Sequence, residues 1–437
     1  MRTSAEAGQT SDGTVYVASR LVADPEYVFA PGAVAVANGI VLAAGPKDDI
    51  LRMAPSSFAV RELPGAAILP GLVNAHTHLQ IPRLTDPAGQ PLPIPPNFVD
   101  WLLQVIVWRM QAYPSSFAGN FAEATREAIS FGTTSAGEIA GPDLTVYSSC
   151  PLRARVFAEG IGFAPEAAPA VLEAVGESIR QLEVLSAVNP LLAPGVSPHT
   201  LYTVGEGLLR SLAALASGKK LPVCLHLAES AAEMEFLSRG GGEIATRLYP
   251  FVGQDVSSFR GIGRSIPGHL SATGLLREGL LLAHNVHLAA GQIDALRAAG
   301  ARFVLCPRSN EAHGNGAPDV THFVDAGIPF ALGTDSLGSV PDLDLWEESR
   351  RARSLYRGKM GDAALCRELF RALTVNGAAA LALPTGTLAQ GVPADFVAVD
   401  DPGGEGAEIF VRLVEGTQRS NVRLTVVGGR PVHGDAA

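Results

Sequence analysis

Apolar and polar positions follow two regimes along this chain. Roughly the first 60 residues carry short alternating runs broken by turn residues, as in "GTVYVASRLV", "AVAVANGIVLAAG" and "AVRELPGAAILPG". The final stretch repeats this style in "GTLAQGVPADFVAVD" and "NVRLTVVGGRPVHG". Between these ends, strand-like apolar runs alternate with segments of helical period. The runs are 133–140, 154–161, 191–199, 222–229, 279–288, 301–310 and 329–336, and the run Ala66–Leu69 ahead of His76 makes eight. Stretches such as "AAPAVLEAVGESIRQLEVLSAV" and "GEGLLRSLAALASG" supply the intervening helices. Eight strand-then-helix units predict an α/β protein with a (β/α)8 TIM-type barrel, whose site lies at the carboxyl ends of the strands. The two β-rich ends are expected to pair into a small discontinuous β-sandwich domain. The implied boundaries are 1–65 and 384–437 for the sandwich and 66–383 for the barrel. A doubly wound open sheet is the alternative. No GxGxxG follows a first strand and no GxxxxGK[ST] occurs, so a phosphate cradle lacks support.

Two segments interrupt the alternation. Residues 81–115 begin as a Pro-rich loop and become an apolar helix, and residues 230–270 form a long insertion after the fifth strand. Loops at this end of a barrel commonly wall or cover the substrate. Trp101 is therefore a candidate substrate contact, although Trp101, Leu102, Val105 and Trp108 also fit a packed helix face.

Composition narrows the class. Of 437 residues, 47% are hydrophobic and 17% charged, as in a well-buried globular enzyme. A net charge of −10 argues against a nucleic-acid partner. Cys150, Cys224, Cys306 and Cys366 are scattered without a CxxC pair and read as reduced thiols. The N-terminus lacks a basic-then-apolar leader, and no apolar stretch reaches the ~18 residues of a membrane span. A soluble cytoplasmic protein acting on a small molecule is expected, with no membrane partner and with a homodimer compatible.

The candidate chemistry begins in "PGLVNAHTHL", where His76 and His78 stand one residue apart. Residues i and i+2 of a strand share a face, so both imidazoles can converge on a metal ion. Further polar residues recur at the carboxyl ends of later runs: His199 in "SPHTLYT", His226 and Glu229 in "HLAE", His284 in "AHNVHL" and Asp335 in "GTDS". Any one of these alone fits a satisfied structural side chain, but their recurrence at one end points to a site. His76, His78, His226 and Asp335 give a mixed N/O metal shell with room for water, the mark of a catalytic rather than a structural site. A divalent ion there lowers the pKa of water towards ~7. Asp335 is expected to take the water's proton, His284 to assist it, and Glu229 to carry a proton to the leaving side. His287 reads as structural.

These motifs, together with "CPRSN" and the terminal "GTLAQGVPADFVAVD", resemble the amidohydrolase superfamily over nearly the whole chain. The closest resemblance is to its cytosine-deaminase-like and chlorohydrolase-like branch. It implies one zinc or iron, zinc first, on the counterparts of His76, His78, His226 and Asp335. It also implies hydrolytic deamination by the counterparts of Glu229, His284 and Asp335. Binuclear barrels of this type bridge their metals through a carboxylated lysine on the fourth strand. The only lysines here are Lys47, Lys219, Lys220 and Lys359, none of them on that strand, so a single metal is implied. "SPHTLYT" with "CPRSN" is similar to deaminases of adenine nucleosides, including methylthioadenosine and adenosylhomocysteine. Arg308 and "FVDWL" look closer to aminodeoxyfutalosine deaminases, where an arginine fork would suit a carboxylate. Arg308 also fits an internal salt bridge. His199, Arg308, Asn310 and Trp101 are the substrate-binding candidates, with His313 a further contact. After His78 the chain reads "LQIPRL", where relatives tend to carry an acidic residue. The expected activity is water-dependent release of ammonia from an adenine-nucleoside-like substrate. The alternatives are hydrolysis of another heterocycle or cyclic amide and, remotely, a non-catalytic scaffold.

Overall fold

The computed structural model describes residues 13–434 apart from Pro87 and Tyr113. Eight parallel strands run through the middle of the chain. They are β1 (Leu72–Thr77), β2 (Thr133–Ile139), β3 (Arg153–Gly160), β4 (Leu192–Pro198), β5 (Cys224–Leu227), β6 (Leu281–His284), β7 (Arg302–Leu305) and β8 (Phe330–Leu332). They hydrogen-bond as two four-stranded sheets, β1-β2-β3-β4 and β5-β6-β7-β8, with helices in the connections. Such strands are covered on both faces, which is why they read as nearly continuous apolar runs. Single parallel bridges join Val196 to Val223 and Thr77 to Asp335, linking the flanks of the two sheets. Val73, Ile139 and Phe157 of the first sheet share one buried cluster with Cys224, Leu281, Val304 and Ala331 of the second.

The two ends of the chain join one further eight-stranded sheet. Its central strand, Ala59–Pro70, runs parallel to Thr14–Val22 and antiparallel to Phe396–Asp400. Tyr16, Val34, Ile68, Phe396 and Val426 pack together on one of its faces. The other face packs Val15, Val17, Ala33 and Ala35 against Ile50 of the short helix Lys47–Met53.

One sequence expectation needs correction here. The run Ala66–Leu69 belongs to the terminal sheet, and the strand that delivers the paired histidines is the next one, β1. Pro70–Gly71 separates them, and the Gly71 N–H donates to the Asp395 carbonyl at 3.0 Å. A side chain at Gly71 would run into Thr134, so the chain can cross here only as glycine. A buried ion pair spans the same junction: Arg153 Nε and Nη2 meet the Asp395 carboxylate at 2.5 and 3.1 Å. Among the described residues, no helix is long and apolar enough to cross a membrane.

Candidate active site

The carboxyl ends of the parallel strands gather the polar groups. His76 lies on β1 with His78 one residue beyond its end, His226 lies on β5, and His284 ends β6. His199 follows β4 directly, and Glu229 and Asp335 follow β5 and β8 after short extensions. Ala228, His284, Asn285 and Asp335 all hold φ between 52° and 74°, a region side chains rarely adopt. Such backbone persists where surrounding bonds fix it, and functional sites are where it collects. Asp335 shows the fixing directly. Its N–H donates to the His76 carbonyl at 3.1 Å, and its carbonyl accepts from Thr77 Oγ1 at 2.8 Å.

The ring nitrogens converge. His78 Nε2 lies 3.2 Å from His226 Nε2 and 3.6 Å from Asp335 Oδ1. His76 is fully buried, and neither of its nitrogens has a hydrogen-bond partner. A buried imidazole with two idle nitrogens is costly unless something else uses it. Candidate ligand atoms of His76, His226 and His284 lie within 4.8 Å of one another, as do those of His76, His78 and Asp335. His226 Nδ1 faces the His199 carbonyl at 2.8 Å, so it carries the proton and leaves the Nε2 lone pair facing the centre. Burial first, and then the neighbouring imidazoles, push His76 and His226 well below the usual histidine range. Neutral imidazoles beside a carboxylate are the donor set a divalent cation takes, so the residues present fit such an ion.

The segment 307–315 supports the reacting side chains from behind. Ser309 Oγ donates to Asp335 Oδ2 at 2.6 Å, Asn310 Oδ1 meets His284 Nδ1 at 3.0 Å, and Asn315 Nδ2 approaches Glu229 Oε1 at 3.4 Å. On the far side, the buried Glu233 accepts from the N–H groups of Ala228 and Glu229 at 2.9 and 2.8 Å. Burial opposes ionisation of Asp335, but His78, His284, His76 and Ser309 hold its carboxyl at about 2. Glu229 goes the other way. Burial, then Asp335 and Glu233, raise it well above the usual carboxyl range, which favours its protonated form.

A cavity of about 410 Å³ opens onto this centre, with His78, His199, His226, Glu229, His284 and Asp335 at its base. Both interrupting segments wall it. Trp101, Leu102, Val105 and Ile106 come from the helix Phe98–Gln111, and Leu248, Tyr249 and Val252 from the insertion. Trp101 thus lines the cavity, with its indole N–H fixed on the Gly338 carbonyl and its ring 4.1 Å from the His313 ring. Trp108 packs on Phe117 instead. His199 faces the cavity with Nδ1 on Thr203 Oγ1 at 2.8 Å.

Two substrate-binding expectations are corrected. Arg308 does not line the cavity. Its guanidinium meets Asp342 Oδ1 at 2.8 Å and lies 3.8 Å from Glu348, the internal salt bridge that was the other reading of this residue. Asn310 is buried behind His284 and likewise does not line the cavity. The guanidinium that does reach the cavity is that of Arg109. Glu138, Glu159, Ser309, Asn315 and Glu233 were also missed. "SAGEIA" and "VFAEGI" place Glu138 and Glu159 at the same strand ends as the histidines, which was the available signal.

The amidohydrolase family model matches residues 67–432. The chain belongs to the amidohydrolase family. This amidohydrolase is 32% identical over 342 residues to the aminodeoxyfutalosine deaminase of Deinococcus radiodurans, covering 75% of the chain and 77% of that relative. It is 29% identical over 418 residues to a 5-methylthioadenosine/S-adenosylhomocysteine deaminase of Nitratidesulfovibrio vulgaris, covering 93% and 89%. In fold it is similar to Helicobacter pylori aminofutalosine deaminase in complex with methylthio-coformycin. The TM-score there is 0.83 at 21% identity, over 96% of this chain and 100% of the other. A Xanthomonas campestris adenosine deaminase with bound zinc gives a TM-score of 0.77 at 26% identity, over 97% and 93%.

Proposed function

We propose that this amidohydrolase is a metal-dependent hydrolase of carbon–nitrogen bonds that deaminates an adenine-nucleoside substrate, of the aminodeoxyfutalosine or methylthioadenosine/adenosylhomocysteine type. The observation that carries this reading is the convergence of His76, His78, His226 and Asp335 where one cavity opens onto the last three of them, beside a Glu229 whose proton affinity burial raises. In the proposal the first four hold one divalent ion, zinc ahead of iron. Bound there, such an ion supplies Lewis acidity and lowers the pKa of water.

The remaining roles belong to the side chains. Asp335 and His284 orient the attacking water and take its proton. Glu229 gives its proton to the ring nitrogen next to the carbon under attack, as the glutamate of zinc deaminases does. A carbon–oxygen bond forms, and the proton taken from water passes to the exocyclic amine. The bond to that amine breaks to release ammonia, and the proton of the new hydroxyl returns to Glu229 as the carbonyl forms. His199 and Trp101 contact substrate. The proposal treats the two parallel sheets as halves of one closed (β/α)8 barrel, supported by the bridges Val196–Val223 and Thr77–Asp335 and by the shared interior. The terminal sheet is taken as a separate sandwich-like unit. On this reading the chain passes from the sandwich-like unit to the barrel between the strands Ala59–Pro70 and β1, and rejoins that unit before the strand Phe396–Asp400.

The test is ammonia release from adenosine, methylthioadenosine, adenosylhomocysteine and aminodeoxyfutalosine by metal-loaded protein. Turnover of at least one with stoichiometric ammonia supports the reading. No release, with turnover of a chlorotriazine or cyclic amide, overturns it.

A further inference from the structure

Among the carboxylates near the site, Glu159 stands apart. Glu138 accepts from the Leu79 N–H and the Tyr147 hydroxyl, Glu233 from two backbone N–H groups, Asp335 from Ser309, and Glu348 from the Arg308 N–H. Glu159 sits next to the end of β3 with its side chain only 12% exposed, yet it has no hydrogen-bond donor among the described residues. Its nearest partner is His199 Nε2, at 4.0 Å. A carboxylate offers about four acceptor sites, and without a protein donor these are left for whatever enters the cavity. The exposure that remains to it faces the substrate cavity.

Its place in that cavity is specific. Glu159 pairs with Ser197 on β4, two residues before His199, and the His199 ring lies 5.0 Å from that of His226. Glu159 therefore stands one side chain outward from the imidazole cluster. Glu159 and the imidazole cluster line the same cavity, so a molecule whose ring meets the cluster can present an attached group to Glu159. Trp101, Leu102, Val105 and Ile106 also line the cavity, and they offer the carboxylate no donor, since the Trp101 N–H is spent on Gly338. Arg109 also lines the cavity, and its charge acts on Glu159 without forming an ion pair. That guanidinium disfavours a cationic substituent, and the carboxylate disfavours an anionic one. Neutral donors satisfy both.

We infer that Glu159 is a specificity-determining residue whose carboxylate accepts hydrogen bonds from hydroxyl groups on the substituent attached to the deaminated ring. The inference rests on the deaminase reading above and adds to it which side chain holds the ribose hydroxyls of such a nucleoside.

The experiment compares kcat/KM for adenosine and 2′,3′-dideoxyadenosine in wild-type protein, Glu159→Gln and Glu159→Ala. A site built to bind a hydroxyl rejects the analogue lacking it, so the wild type should favour adenosine by on the order of 10²-fold or more. Both variants should lower that ratio at least tenfold. Glu159→Gln keeps the side chain's shape, so a lowered ratio there cannot come from a collapsed fold. A wild-type ratio near one, or a ratio unchanged in both variants while ammonia is still released, overturns this inference alone. Preference for 3′-amino-3′-deoxyadenosine over adenosine overturns the hydroxyl assignment in favour of an ammonium. No ammonia from any of these nucleosides in the wild type overturns the deaminase reading and this inference with it.

Discussion

Asn310 Oδ1 lies 3.0 Å from His284 Nδ1, and this bond turns the imidazole's Nε2 toward Glu229 Oε2, 3.8 Å away. The amide thus sets which nitrogen of His284 carries a proton and which faces the reaction. Asn310→Ala should lower kcat by about 10- to 100-fold, as loss of an outer partner of an active imidazole does, with KM changed much less. Steady-state kinetics check this. A raised KM with unchanged kcat would instead make Asn310 a substrate contact.

Removal of the cation should unmake the centre without unmaking the fold. Dialysis against a chelator is expected to abolish activity, and added zinc or iron to restore it. His76→Ala, which deletes the imidazole with two idle nitrogens, should fall below about a tenth of an equivalent of metal, since a catalytic site has only three or four protein ligands to lose. Elemental analysis of protein purified with and without added metal reads this directly.

Glu229→Gln keeps the shape of the side chain and removes its proton. The expected outcome is a loss of about 10²- to 10⁴-fold in kcat, the usual worth of a positioned proton donor, with metal content unchanged. Activity and metal analysis on the same preparation separate this from a damaged site.

Asp395 holds the junction between the terminal sheet and β3. Its carboxylate is fully buried and takes Arg153 by two bonds and the Gly428 N–H by another at 2.7 Å. Asp395→Ala leaves a guanidinium buried and unpaired, at a cost of about 3–5 kcal/mol. Urea unfolding should show the lower midpoint. A change under about 1 kcal/mol, typical of an exposed pair, would mean the bridge is solvated in solution.

Stability should fall as pH rises from 7.5 to 8.5. Burial lifts Glu138 and Glu348 to about 8 and Glu233 to about 7, from an ordinary 4.5. The folded state therefore binds protons that the unfolded state has released. This stabilisation is fully present below pH 4.5 and is lost as pH rises through the folded values. At pH 6.5 an unfolded histidine is still half protonated while the lowered ones are neutral in the fold, so the histidines oppose the trend there and cease to do so above about pH 7.5. Thermal melts of chelated protein at pH 7.5 and 8.5 should show the drop, and Glu348→Gln should shrink it. An unchanged slope in that variant would remove Glu348 as a contributor.

The cluster was legible because strand ends are local: a histidine or aspartate closing an apolar run announces its own position. His76, His78, His226, His284 and Asp335 all carried that signal, and the structure brings them together. What stayed hidden depended on distant partners. Nothing near Ala66–Leu69 says that its neighbour is Phe396–Asp400, so an apolar run beside the histidines looked like their strand. Arg308 looked free to meet substrate because Asp342 and Glu348 lie beyond its local window. Asn310 looked like a contact because sequence cannot tell the front of an imidazole from its back.

The pairing of Ala59–Pro70 with Phe396–Asp400 also constrains how the protein is made. During synthesis, the strand that leads into His76 must wait beside an open edge until residues 396–400 have left the ribosome. Unpaired strand edges invite foreign partners, so the vulnerable interval of this enzyme lies before its last strands emerge. Slower translation past residue 400 would lengthen that interval and lower soluble yield without altering a single side chain of the mature site.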